Sequence, residues 1–336
     1  ISGRNMQSVV IENDGLEEVS DSVCPPTVEN REQFLQAVRN SGSIGLGGAG
    51  FPTSLKLGFD PKEKQPDFLI INGAECEPYI TSDYRCFMEE GEDVLEGVLL
   101  MLKYLGIPKC IIGIEKNKPK AIEKMTRLCE KHDNITVKPL KSSYPQGAEK
   151  TLIFSTTGRV VKEGTLPLAS GCIVINSSTA AFIAQYIRTG MPLVKRRITV
   201  DGNIVKKPSN FIVPVGMSIG EIVYYAELSD KPDRIILGGP MMGACAFDPD
   251  YPLSKTNNAV LMFADSPVYE PSECIRCGKC VKACSMNLLP TELEHAFDMR
   301  DAKQLEKLKV NLCVNCGACS FVCPAKRNLA EKNQLA

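Results

Sequence analysis

Eight cysteines after residue 270 carry the strongest chemical signal in this chain. They stand in "CIRCGKCVKAC" and "CVNCGACSFVCP", which twice spell C-x2-C-x2-C-x3-C: Cys274, Cys277, Cys280 and Cys284, then Cys313, Cys316, Cys319 and Cys323. This is the bacterial ferredoxin-type run for [4Fe–4S] clusters. Three cysteines spaced by two can wrap one cubane, with the small Gly278 and Gly317 easing the tight turn. The fourth points away, because the chain has by then turned into a helix, and so ligates the other cluster. The expected sets are therefore crossed: Cys274, Cys277 and Cys280 with Cys323, and Cys313, Cys316 and Cys319 with Cys284. Zinc sites need four ligands and usually come as two C-x2-C pairs or mix in histidine, which two triplets do not match. Pro324 follows Cys323 as the run expects, whereas Ser285 follows Cys284. The ligands stay intact there, with a slightly looser turn. Between the motifs, "TELEHAFDMRDAKQLEKLKV" places Leu293, Phe297, Leu305 and Leu308 at helical spacing. Such a module moves single electrons and makes no bonds itself, so it needs a donor.

The elements that must position that donor lie upstream. A chain of 336 residues has room for two or three domains with real cores. Net charge is −1, which gives no case for nucleic acid or an anionic membrane surface. No apolar run approaches the ~18 residues needed to span a bilayer. The other seven of the 15 cysteines are scattered and read as reduced thiols. Two histidines, His132 and His295, are too few for a Ser-His-Asp triad or a His-rich zinc site. Both read as surface residues on helices. The chain opens "ISGRNMQSVV" without Met or a basic-then-apolar leader. A preceding N-terminal portion is expected, with residues 1–27 its remnant.

"GSIGLGGAGFPTSLKL" (42–57) holds a G-x-G-G-x-G core. It follows "VENREQFLQAVRNSG", where Arg31, Phe34, Leu35 and Val38 share a helix face and Gly42 ends it. A dinucleotide fingerprint must follow a strand, and a P-loop needs G-K-[ST], so the loop is neither. Beyond it come strand "DFLIING", polar loop "NGAECEPYITSDYR", strand "CIIGIE" and helix "KPKAIEKMTRLCEKH". Then follow strand "ITVKPL", turn "YPQGAEK", a helix around Leu152, strand "CIVINSS" and helix "TAAFIAQYIRTG". This alternation predicts a Rossmann-like parallel sheet with helices on its faces. Ligands of such sheets sit at the carboxyl ends of the strands, so "NGAECEP", "YPQGAEK" and "NSST" could converge with the glycine loop. From Arg196 the pattern changes to polar–apolar alternation around an Asp201-Gly202 hairpin turn. A helix from near Ser218 and strand "RIILGG" complete a small β-grasp-like (SLBB-like) unit, read as a structural spacer. The expected division is 28–195 α/β domain, 196–265 β-grasp-like domain and 266–336 α-helical two-cluster ferredoxin domain. "Asp265-Ser266-Pro267" reads as a linker.

With these residues in view, "GLGGAGFPTSLKL", "LIINGAECEPYITSDYR", "IEKNKP", "YPQGAEK", "GGPMMG" and the paired cysteine motifs resemble the RnfC family, the C subunits of the Rnf complex, a membrane-bound ferredoxin:NAD+ oxidoreductase coupled to ion transport. The front half is similar, more distantly, to the flavoprotein subunit of respiratory complex I, where such pieces hold FMN and NADH. The resemblance implies that Gly45, Gly47, Gly48, Ala49, Gly50 and Phe51 line the FMN phosphate and ribityl chain, with Lys56 near the flavin. It implies that Asn72, Glu75 and Glu77 take the Asn and acidic positions of NADESEP. Gly147, Ala148 and Glu149 lie near the nicotinamide, and Asn176 and Ser177 stand where complex I has an Asn pair. Ser177 departs from that pattern. The implied cofactors are FMN, NAD(H) and two [4Fe–4S] clusters. The implied partners are other subunits of a membrane electron-transport complex, a ferredoxin-like iron–sulfur subunit among them. The implied location is peripheral, at the cytoplasmic face of the cell membrane.

Blander readings stand beside these. Glu75 and Glu77 could both be solvated, Cys76 could be packing rather than a redox thiol, and Lys116 and Lys118 could touch a nucleotide phosphate or simply sit in a solvated loop. A soluble NADH-dependent iron–sulfur flavoprotein feeding a reductase, or a cluster-only relay subunit, would share most of these motifs.

Overall fold

The computed structural model describes residues 9–248 and 250–336. Residues 1–8 of the expected remnant lie outside the described residues. Helix α1 (Arg31–Asn40) starts where Asn30 accepts a hydrogen bond from Gln33 N, and buries Phe34, Ala37 and Val38. The glycine loop follows and leads into the short α2 (Thr53–Leu57). Next come β1 (Phe68–Gly73), α3 (Ser82–Leu105), β2 (Lys109–Glu115), α4 (Pro119–Cys129), β3 (Ile135–Leu140), α5 (Glu149–Thr157), β4 (Cys172–Asn176) and α6 (Ser177–Thr189).

The four strands form one parallel sheet in the order β3-β2-β1-β4, with Ile71 of β1 flanked by Ile112 and Ile175. The near-continuous apolar runs of β1, β2 and β4 match a sheet covered on both faces. The chain steps outward from β1 to β3, then crosses back to place β4 on the other side of β1. That reversal makes the β1/β4 boundary the switch point, where the carboxyl ends diverge and leave a crevice.

Helix α3, 24 residues long, is the largest element that sequence reading did not place. The loop "NGAECEPYITSDYR" ends at Thr81, and Ser82 to Arg85 already belong to this helix. It packs along α6 so closely that a Cβ on Gly97 would overlap the Ala180 carbonyl. His295 is exposed on a helix as expected, whereas His132 lies just past the end of α4.

A second, five-stranded sheet has the order β6-β5-β9-β7-β8, from β5 (Lys195–Asp201), β6 (Ser209–Pro214), β7 (Arg234–Leu237), β8 (Ala244–Ala246) and β9 (Ala259–Phe263). Its first and last strands lie parallel at the centre, and α7 (Ile219–Ala226) starts at a Ser218/Glu221 capping box. The β5–β6 hairpin exists, but Val200 pairs with Ser209, so seven residues (202–208) connect the strands instead of an Asp201-Gly202 two-residue turn. Gly202 is held by another need. A side chain there would run into the Met262 backbone.

The C-terminal part is helical: α8 (Lys279–Ala283), α9 (Pro290–Asp298), α10 (Ala302–Lys307), α11 (Ala318–Phe321) and α12 (Leu329–Leu335). The segment between the cysteine motifs is broken at Arg300, which has a positive φ of 53°. Among the described residues, no helix is long and apolar enough to cross a membrane.

Candidate functional site

The glycine loop is shaped by ties to distant parts of the chain. Internally, Gly45 N donates to Phe51 O at 2.9 Å and Gly50 N to Gly45 O at 3.2 Å. From α6, Thr179 Oγ1 accepts from Leu46 N at 3.0 Å. From β5, the buried Arg196 donates to Leu46 O at 3.1 Å and also to Lys255 O. Lys255 Nζ reaches Gly42 O at 2.9 Å, and a Cβ on Gly50 (φ 66°) would meet Thr256 Cγ2 at 2.5 Å. The β-grasp unit is thus more than a spacer, because it braces the loop from behind. Burial holds the Arg196 guanidinium down to about 10, with Asp83 opposing that shift. At the loop's outer turn, the N–H groups of Gly47, Gly48 and Ala49 have no protein acceptor among the described residues, and all three residues are exposed. Gly48 has φ of 106°. A run of free N–H groups with no side chain larger than a methyl is what an anionic phosphate requires.

The loops expected at the sheet's carboxyl edge do meet this one. Asn72, ending β1, donates to Gly147 O at 3.0 Å and accepts from Ala74 N at 3.1 Å. Gly147 N reaches Cys76 Sγ at 3.4 Å, and a side chain on Gly147 would strike the Ala74 carbonyl. Ala148 caps α5, and Glu149 in its first turn pairs with Lys56 of α2 at 2.6 Å. Asn176 caps α6 by accepting from Ser178 N at 3.0 Å, while its amide donates to Asp83 at 2.8 Å. A Cβ on Gly47 would lie 3.2 Å from that same amide. Ser177 is fully buried and its Oγ has no partner among the described residues. Gln146, also buried, leaves Nε2 unpartnered. Phe51 is half exposed where the loop returns.

The acidic residues divide into different environments. Glu75 is 9% exposed, so the solvated reading fails for it. Its carboxylate accepts from Asp83 N at 2.7 Å and Tyr84 N at 3.2 Å, the free donors at the start of α3. Burial pushes Glu75 up to about 8, with the Asp83 charge adding to it and Lys118 opposing. Asp83 is half-buried and raised for the same first reason, although Asn176 and Ser178 hold it down. Sequence reading missed Asp83, because the helix it begins was unplaced. The signal available was a Thr-Ser-Asp start followed by a long apolar periodicity. Glu77 turns toward the β-grasp unit, where Oε2 accepts from Met241 N at 3.0 Å, and Oε1 has no partner among the described residues. Lys118 is neither solvated nor free. It donates to Glu75 O at 3.0 Å and Glu115 at 2.9 Å, while Lys116 is exposed. Beside these groups opens a cleft of about 720 Å³, lined by Glu75, Cys76, Glu77, Tyr79, Lys118 and Tyr144 among others.

The C-terminal cysteines approach one another across the two motifs: Cys284 comes beside Cys313, Cys316 and Cys319, and Cys323 and Cys274 beside Cys280. Each motif turns through a left-handed glycine, Gly278 (φ 70°) or Gly317 (φ 76°), into a short helix that carries the third cysteine. The fourth lies at or just past that helix's end, at Cys284 or Cys323. Burial raises the Cys280 thiol, and nearby Cys323 and Cys274 add to it. Burial likewise raises Cys316 and Cys319, the latter to about 11, with Cys284 and Cys313 as their charged neighbours. Cys284, Cys313, Cys316 and Cys319 also line one common cavity. No three His, Cys, Asp or Glu side chains among the described residues close in on a point as they would for a single ion. Sulfurs spread around a cavity suit a cubane, whose cysteines bind four separate irons.

Glycine-loop α/β domain, β-grasp sheet and dicluster helices together define an iron–sulfur flavoprotein of electron transfer. Residues 38–185 match the Nuo51 FMN-binding domain, and residues 273–327 match the 4Fe-4S dicluster domain. The chain is 40% identical over 298 residues to the C subunit of the Na(+)-translocating ferredoxin:NAD(+) oxidoreductase complex of Acetobacterium woodii, covering 87% of this chain and 67% of that protein. It is 40% identical over 314 residues to the proton-translocating counterpart of Clostridium ljungdahlii, covering 91% and 68%. For the C subunit of the Rhodobacter capsulatus ion-translocating oxidoreductase complex the figures are 36% identity, 90% and 60%. The chain belongs to the RnfC family that these C subunits form, and it spans roughly 60–68% of the length of these relatives. In fold it is similar to an NAD+-reducing [NiFe]-hydrogenase crystal structure, with TM-score 0.66, 20% identity, and coverage of 92% of this chain and 62% of that one.

Proposed function

We propose that this chain exchanges hydride between NAD(H) and FMN, and single electrons through two [4Fe–4S] clusters, as the peripheral subunit of a membrane-bound, ion-translocating ferredoxin:NAD+ oxidoreductase. It works at the cytoplasmic face of the membrane beside subunits that include a ferredoxin-like iron–sulfur protein. The reading divides the chain at 28–195, 196–265 and 266–336. The observation that carries it is the meeting of three loops at the β1/β4 switch point, with free N–H groups on one side and a cysteine cage adjoining on the other.

In this reading Gly45, Gly47, Gly48, Ala49 and Gly50 cradle the FMN phosphate, and Phe51 covers the ribityl chain. Asn72 holds the Gly147 loop in place, Glu149 neutralises Lys56 beside the flavin, and Ser177 and Gln146 offer the unpartnered polar atoms. Asn176 acts indirectly, since its amide is already engaged with α6 and Asp83. Cys274, Cys277, Cys280 and Cys323 hold one cluster, and Cys313, Cys316, Cys319 and Cys284 the other. When bound, FMN supplies the conversion between a two-electron hydride and the one-electron steps of the clusters, so no protein acid or base is needed.

Anaerobic reconstitution tests this. The expected product holds ~8 iron atoms per chain with FMN bound, and NADH bleaches its flavin absorbance. FMN-loaded protein that NADH never reduces would falsify the reading.

A further inference from the structure

The two cysteine cages are placed differently with respect to the flavin-side loops. Tyr144, in the "YPQGAEK" loop, lines the cleft and donates from its hydroxyl to the Cys316 carbonyl at 2.6 Å. A second contact runs parallel to it. Glu77 accepts from Met241 N, and the Met241 carbonyl lies so near Gly317 that a Cβ there would come within 2.7 Å. Both contacts end on the Cys313–Cys319 turn. Cys274 and Cys277 of the other cage are exposed, as is Ile275 between them.

We propose that Tyr144 is a positioning residue that docks the flavin-side loop on the Cys284/Cys313/Cys316/Cys319 cluster. That cluster is then the one beside the flavin, and the Cys274/Cys277/Cys280/Cys323 cluster is the outlet to the partner. The inference rests on the function proposed above. When bound, the flavin and the clusters would supply single-electron transfer from the hydride of NADH through the Cys284/Cys313/Cys316/Cys319 cage to the Cys274/Cys277/Cys280/Cys323 cage, with the hydride's proton released to solvent. The Tyr144 hydroxyl fixes the backbone of a ligand, so it acts on the position and potential of one cluster only.

The test is Tyr144→Phe in the full reconstituted chain, read by electron paramagnetic resonance during redox titration. Cys284→Ser and Cys323→Ser assign the two cluster signals. Tyr144→Phe is expected to shift the midpoint of the Cys284-dependent signal alone. Flavin-to-cluster transfer should slow several-fold in stopped flow. Tyr144→Leu, which also removes the ring, should deepen the same selective change. A shift in neither signal, in the Cys323-dependent signal, or in both alike overturns the inference. Wild-type protein that loads no flavin or only one cluster instead overturns the proposed function itself.

Discussion

The cysteine cages and the glycine loop are built on opposite plans. Each cage takes three of its four cysteines from a stretch of seven residues, turned by one left-handed glycine into a short helix. The glycine loop, by contrast, is held by Thr179, Arg196, Lys255 and Thr256, which lie more than a hundred residues downstream. One site is local in sequence and the other depends on helix α6 and on the β-grasp unit. The lesson is that damage should stay local in the first and spread in the second.

Cys319→Ser is the strongest test on the local side. It removes a buried cage member, and about half of the ~8 iron atoms should be lost while FMN content holds. Iron and flavin assays on the same preparation read this. Loss of flavin along with iron would break the comparison.

Arg196→Ala tests the other side. The buried guanidinium bonds Leu46 O, Lys255 O and Arg197 O, so truncation strands carbonyls in the interior and frees the loop. Stranded buried acceptors cost about 1–3 kcal/mol each, so a loss of about 3 kcal/mol in denaturant unfolding is expected. FMN affinity should fall well below wild type, with full iron retained. Arg196→Lys should rescue little, since one ammonium cannot span the same carbonyls.

The same contrast explains what could be read from sequence. Cysteine spacing and turn glycines are encoded within a few residues, so the approach of Cys284 to the second motif could be expected from them alone. The strands were readable because apolar runs such as "DFLIING" and "CIVIN" match parallel strands buried on both faces. Helix α3 was missed although its apolar periodicity is plain, and with it went Asp83 and the role of Glu75. The "spacer" reading of the β-grasp unit failed for a physical reason. Nothing in "RRITV" states that Arg196 turns inward to a carbonyl 150 residues away.

A pH prediction sharpens the coupling between these long-range parts. Glu75 has its folded pKa raised to about 8, and Asp83 is shifted in the same direction. Between pH 4.5 and 8 the folded chain therefore holds more protons at Glu75 than the unfolded chain. The stabilisation is complete below the unfolded value and is lost as pH rises through the folded one, at up to about 1.4 kcal/mol per pH unit for each group. Urea midpoints should fall from pH 5 to pH 9, and Glu75→Gln should flatten the slope. A slope unchanged by Glu75→Gln would show that the carboxyl titrates as an ordinary one.

The smallest effect belongs to Lys56. Its 2.6 Å pair with Glu149 joins α2 to α5, with both side chains about a third exposed. Exposed pairs contribute about 0–1 kcal/mol because water and salt screen them. Lys56→Gln should therefore move the unfolding midpoint little, in contrast to Arg196→Ala. Its pocket effect is separable from stability. Removing the cation leaves Glu149 uncompensated beside the flavin site, so FMN should bind more weakly at low salt, and the difference from wild type should shrink as salt rises. If FMN affinity is unchanged at every ionic strength, Lys56 and Glu149 serve only to tie two helices together. The charge near the flavin must then come from Arg196 behind the loop.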